Sequence, residues 1–415
     1  MHDRPAQEHL SPEPSPTPSG RTPLTALVAE ADWRFFALGG GARLPTAMLP
    51  LGTLLYVAER AGSYATGGLA VAVLSLGGGV GGPLVGLASD RLGQRRVALL
   101  ATAIQVGALS ALLLLGTSDL ALALPLVAVV GVANPQAGAM ARSRWGVIGR
   151  GRPDRRSFVS TAMAYESAVD ESSFVVGPAL VGTTAGLLSP TAGLLLTLVL
   201  AALTQTGFAV HRSALAGRGG VRRHAERSRG SLPVLHLVCL LAAMGAVGVV
   251  FGAVQTGVAA RMSLGGTGGL TGPVYAAMGV GSAVTGLLTT RFPRRFGLEA
   301  RIVAGGAVLL LGGVAAAAAH EPLPLALACL LIGIGVAPAL VSSYALAERS
   351  APSAWATTAM TSLATANVVG VAAGAALAGL LVDRVSPGAA LLVTCAAGTL
   401  VLVSGAVARL TRPHG

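Results

Sequence analysis

Stretches of roughly 20 apolar residues recur along this chain, separated by short interruptions rich in arginine, proline or glycine. A bilayer core of about 30 Å is crossed by roughly 20 residues of α-helix, so the repeat length itself points to membrane spans. The expected spans are 35–58, 64–89, 97–117, 120–141, 160–187, 189–210, 233–259, 270–290, 302–319, 322–346, 357–382 and 387–409. The apolar runs are continuous and do not alternate, which excludes a transmembrane β-barrel. Only 11% of residues are charged and 53% are hydrophobic, too few charges to cover a soluble globule of 415 residues. The fold class expected is therefore an all-α polytopic membrane protein of twelve transmembrane helices in two pseudo-symmetric six-helix bundles. Its 57 glycines do not oppose this reading, because membrane helices use small residues to bring backbones together, as in Gly77-Gly78-Gly79.

The 29 basic residues are all arginine. With the N-terminus inside, only Arg60, Arg261 and Arg384 fall on the outer side and Arg43 within a span. Every other arginine lies on the inner side, a bias that fixes orientation by the positive-inside rule. The reading is a multi-pass protein of the plasma membrane with both termini cytoplasmic. The net charge of +12 is then topological, and nucleic-acid binding is not expected. Absence of lysine excludes a Walker A phosphate loop and a lysine Schiff base. Cys239, Cys329 and Cys395 are isolated in apolar segments and read as small hydrophobes. No cofactor or metal is expected, and the chain is expected to act as a monomer.

Residues 1–23 are polar and proline-rich, and read as a disordered cytoplasmic tail. The polar stretch 211–232 divides the spans six and six, giving an N-terminal bundle over 24–210, a cytoplasmic linker over 211–232 and a C-terminal bundle over 233–415. Internal echoes support duplication. Gly86 to Arg95, after the second span, returns in degraded form as Gly286 to Arg295 after the eighth. Gly177 to Gly182 in span five returns as Gly374 to Gly379 in span eleven.

At the second-to-third span junction, Gly86, Asp90, Arg91, Gly93, Arg95 and Arg96 resemble the loop signature of the major facilitator superfamily, with Gln94 where a basic residue is usual. The hydropathy extends the resemblance over residues 34–410. Asp90 can accept charge-assisted hydrogen bonds and cap across a helix interface in one conformation. Gly86 permits close helix approach and Gly93 a tight turn. The resemblance implies a latch between the halves that favours the outward-facing state and breaks during rocking; the bland alternative leaves the arginines as topology anchors. Thr290 replaces the acid in the second copy, so that latch should be weak.

Ionisable groups inside spans are functional candidates, because each costs about 2.5–3.5 kcal/mol on insertion scales. Arg43 lies in span one, and Glu166, Asp170 and Glu171 in span five. Glu166 and Asp170 share a helical face, with Glu171 turned about 100° away. The expectation is that Arg43 pairs with Glu166 or Asp170, leaving another acid to bind and release a proton. The alternative places all three acids at the cytoplasmic interface as anchors. Gly177-Pro178 and Gly182 resemble a family antiporter motif in which Gly and Pro bend the helix, although Ser173 and Val181 replace two of its glycines. Asn134, Gln136, Gln255, Tyr275 and Asn367 either line a substrate cavity or bond neighbouring helices.

These features imply secondary active transport of the major facilitator type: proton-coupled export of a small apolar drug or metabolite by alternating access. An uptake permease or facilitator for a metabolite remains as the alternative. An enzyme or receptor would need a catalytic constellation or a sizeable soluble domain, and the sequence carries neither His-Glu-x-x-His nor a Gly-x-Ser-x-Gly elbow.

Overall fold

The computed structural model describes residues 24–117, 119–215, 234–289, 292, 296–350 and 356–410. The expected tail over 1–23, most of the 211–232 linker, and Thr290, Arg291 and Pro293 to Arg295 of the second signature copy lie outside the described residues.

The N-terminal bundle comprises α1 (Leu24–Ala31), α2 (Trp33–Gly41), α3 (Leu44–Ala61), α4 (Tyr64–Leu92), α5 (Gln94–Leu115), α6 (Leu120–Val132), α7 (Ala137–Ile148), α8 (Arg155–Leu187), α9 (Pro190–Leu200) and α10 (Thr206–Val210). A π-helical turn, Ala201–Gln205, joins the last two. The C-terminal bundle comprises α11 (Val234–Leu264), α12 (Thr271–Thr289), α13 (Leu298–Ala318), α14 (Pro322–Ser350), α15 (Ala356–Arg384) and α16 (Pro387–Leu410). Among the described residues, nine helical stretches are long and apolar enough to cross a membrane. The interrupted pair α2 and α3, the acid-bearing α8 and α12 complete the twelve-helix, two-bundle layout.

Two expected continuous spans are broken. Span one divides at Ala42 and Arg43, directly after three glycines. Span four divides at Asn134-Pro135-Gln136, where proline removes one backbone donor, although other helices here, α8 among them, continue through a proline. Span five instead begins earlier than expected, at Arg155, and runs unbroken through Pro178.

The duplication is visible in how the helices touch. A Cβ at Gly177 would press on Ala47 of α3, within the N-terminal bundle, and one at Gly374 would overlap Val249 of α11, within the C-terminal bundle. Five residues further on, Gly182 abuts Gly272 and Gly379 abuts Tyr64, both across the bundle boundary. Equivalent glycines thus serve equivalent contacts, close backbone approach being the means by which such helices associate without a hydrophobic driving force.

Across that boundary α4 runs antiparallel along α15, with Gly68 against Ala375 and Gly79 against Val368. α8 runs antiparallel along α12 and the short turn Gly268–Leu270 before it, with Gly186 against Gly269 and Gly279 against Val175. The tight contacts lie toward the ends of these pairs remote from the arginine-rich loops. There a shared apolar cluster joins Leu51, Leu54 and Val71 of one bundle to Ala259 and Ala375 of the other.

Candidate functional site

The break between α2 and α3 frees Arg43 from a regular helical register, and its side chain is buried, 5% exposed. Its Nη1 donates to the Gly39 carbonyl at 2.8 Å, its Nε to Asp170 Oδ1 at 2.5 Å, and its Nη2 bonds Glu166. Glu166 is 1% exposed and accepts a further hydrogen bond from the Trp145 indole at 2.5 Å. Asp170 offers its other oxygen to Arg142 Nη2, also at 2.5 Å. Two arginines and two carboxylates therefore form one neutral, hydrogen-bonded group among α3, α7 and α8. Buried charges persist in a low-dielectric interior when they are paired in this way.

The expected pairing of Arg43 is made, and to both acids, because Glu166 and Asp170 lie one helical turn apart on the face of α8 turned toward α3. Two further members of the group, Arg142 and Trp145, lie outside the sequence-expected site, Arg142 being an inner-side anchor on that reading. Glu171, turned away from this group, is exposed and has no hydrogen-bond or ion-pair partner among the described residues. It faces a crevice of about 690 Å³ between α8 and α12, walled mainly by Val175, Val176, Val280, Val284, Leu287 and Val341.

Arg144, another inner-side anchor on the sequence reading, is fully buried. Its guanidinium bonds Gln94 Oε1, the Phe208 carbonyl and Ser213 Oγ, each at 3.0 Å, and stacks 3.8 Å from the Phe208 ring. It ties α5, α7, α10 and the short Arg212–Leu215 turn together, which explains why Gln94 can stand where a basic residue is usual. His211 in that turn region is held below the ordinary imidazole range, first by burial and then by the Arg144 charge.

In the loop signature, Gly93 has φ of 89° and ends α4, a backbone conformation that glycine takes without strain. Asp90, Arg91, Arg95 and Arg96 are exposed, and Asp90 has no side-chain partner among the described residues. A Cβ at Gly86 would meet open space, so the close approach expected there is not made in this conformation.

The opposite end of the same helix pair is clasped. Asp383, near the end of α15, accepts Ser63 Oγ at 2.6 Å and the backbone amides of Tyr64 and Ala65 at 2.9 and 3.0 Å. Ser63 itself caps the Thr66 amide at 3.1 Å. The free amides that open α4 are thereby satisfied jointly by its own cap residue and by a carboxylate of the other bundle.

The five polar candidates are spread rather than gathered. Asn134 accepts Thr46 Oγ1 at 2.9 Å, and Gln136 donates to the Asn134 carbonyl at 3.3 Å, both at the break in span four. Asn367 donates to the Met244 carbonyl at 3.3 Å, and Gln255 is buried. Tyr275 is packed into the core of the C-terminal bundle, held there by its ring.

A family model described as Major Facilitator Superfamily matches residues 35–375. Among solved structures, the nucleoside transporter NupG superposes with a TM-score of 0.72 at 13% identity, covering 91% of this chain and 98% of its own. A bacterial homologue of the human drug peptide transporters PepT1 and PepT2 gives 0.68 at 12% identity, covering 92% and 98%. The human organic anion transporter MFSD10 (TETRAN) gives 0.57 at 18% identity, covering 93% and 100%. These likenesses are of fold. Among curated proteins, none matches the sequence.

Proposed function

Because the chain belongs to the major facilitator superfamily, we propose that it is a secondary transporter exporting a small apolar drug or metabolite by alternating access, with protons moving inward in exchange. It acts as a monomer in the plasma membrane, its arginine-rich end and both termini cytoplasmic.

The observation that carries alternating access is the asymmetry of the bundle boundary. At the end remote from the arginines, glycine contacts and the Asp383 clasp hold α4 to α15 and α8 to α12. At the arginine-rich end, α8 and α12 part around the Glu171 crevice and Asp90 is unengaged. This is an inward-open arrangement, and rocking reverses it: the clasp opens while Asp90 and its arginines engage the start of α15. Interfaces of this kind are bistable because packed helices exchange one set of contacts for another.

Proton coupling is assigned by charge balance. Arg43, Arg142, Glu166 and Asp170 cancel, so loading a proton there leaves a net charge in hydrocarbon, whereas Glu171 has no cation to neutralise it. Gly177, Pro178 and Gly182 seat α8 between α3 and α12, where the exchange of contacts must occur.

The test is transport in proteoliposomes under an imposed pH gradient, screened across neutral, cationic and anionic compounds. The reading expects gradient-driven accumulation of at least one of them, uncoupled from the gradient in Glu171→Gln. Accumulation indifferent to the gradient in the unaltered protein contradicts proton coupling.

A further inference from the structure

We infer that the crevice between α8 and α12 is a binding site for a monovalent organic cation with an apolar body, whose charge is met by Glu171. The inference rests on the transport reading above and adds the substrate class.

Its position comes first. Glu171 lies 16 residues into α8, roughly 24 Å from either end at about 1.5 Å per residue, at the middle of the helix. The crevice runs from there along Val280, Val284 and Leu287 toward the arginine-rich end. At about 690 Å³ it is within the range of about 300–1,000 Å³ typical of sites for drug-sized molecules.

Its chemistry selects the ligand. A carboxylate among aliphatic walls needs a counter-charge, and none is supplied by the lining side chains of α12 or α14. On its own helix the adjacent acid, Asp170, is already held by Arg43 and Arg142. The lining hydroxyls, Ser167, Ser172 and Thr289, donate to the carbonyls of Met163, Ala168 and Gly286, at 3.1, 2.8 and 2.5 Å. One carboxylate and three committed hydroxyls do not make the cage of about six oxygens that a hard inorganic cation demands. An organic cation needs no such cage: its body replaces water along the valines while its charge pairs with the acid. Phospholipid anions are repelled by the same carboxylate. Proton and cation then compete for one group, so each expels the other, which is the exchange that antiport requires.

The probe is tetraphenylphosphonium, with tetraphenylborate as a partner of the same shape and opposite charge. Binding of the labelled phosphonium to the purified full-length protein is measured by equilibrium dialysis in neutral and acidic buffer. The site predicts phosphonium binding that weakens on acidification and falls at least about tenfold in Glu171→Gln, and no comparable binding of labelled tetraphenylborate dialysed separately. Equally tight binding of separately dialysed tetraphenylborate, or Glu171→Gln affinity within about twofold of the parent, overturns it in favour of an apolar groove filled by lipid. Should Glu171→Gln fail to fold, Glu171→Asp retains binding and Val284→Trp, which fills the crevice, abolishes it; Val284→Trp binding at parental affinity overturns the assignment. Gradient-driven transport of some other compound with no phosphonium binding removes this inference alone. Phosphonium binding without any transport removes the transport reading instead.

Discussion

The Asp383 carboxylate, near the end of α15, accepts the backbone amide of Tyr64 at 2.9 Å, so that one bundle caps the first turn of a helix in the other. α4 and α15 are antiparallel, and each carries an acid near its own end: Asp90 on α4 and Asp383 on α15. One acid is engaged and the other is not. The pair has the form of two catches on opposite ends of a single hinge line. Losing a side-chain cap costs about 1 kcal/mol, roughly a fivefold change in a two-state population. Asp383→Ala is therefore expected to raise hydrogen–deuterium exchange at the amides of Tyr64 and Ala65 by about that factor, while Asp90→Ala leaves those amides unchanged.

Glu166 and Glu171 are expected to differ sharply in what they contribute to stability. Glu166→Gln leaves Arg43 buried with part of its counter-charge gone, a change that costs about 3–5 kcal/mol when a buried pair is broken. Glu171→Gln removes a side chain with no partner among the described residues and should leave thermal unfolding in detergent close to the parent. Unfolding curves of the two variants side by side check this; equal shifts contradict it.

Backbone contacts between bundles predict a second contrast. A side chain at Gly182 would overlap Gly272, whereas one at Gly86 meets open space. Gly182→Val is expected to destabilise this conformation by about 1–3 kcal/mol, in line with overpacking of tight interiors, and Gly86→Ala to leave it unaffected. Thermal stability measured at fixed pH and detergent reads both.

Much of the architecture was legible because hydropathy repeats at the bilayer length and arginines mark one side. The breaks were not. Three glycines before Arg43 weaken helix by about 1 kcal/mol each, but the same residues also favour membrane packing, and apolar continuity masked the interruption. Pro135 was no plainer a signal, since Pro50, Pro83, Pro125, Pro178 and Pro338 all lie inside continuous helices.

The charged site divides in the same way. Arg43, Glu166 and Asp170 stood out because charge in an apolar run is costly. Arg142, Arg144 and Trp145 did not, because an arginine-rich loop reads as a topology marker until its burial is known; Arg144 is fully buried. The Asp383 clasp joins residues 320 apart in sequence, and nothing local distinguishes that acid from any other at the end of a span.

The rocking of the two bundles is tested most directly by paired spin-label distances in the membrane-reconstituted protein, with native cysteines replaced. One pair joins Leu87 of α4 to Ala364 of α15 near the arginine-rich end, and a second joins Glu59 to Arg384 at the clasped end. As pH is varied, the account predicts two interconverting populations whose distances change in opposite senses, the first shortening as the second lengthens. Both distances moving together, or neither moving while transport proceeds, would contradict it.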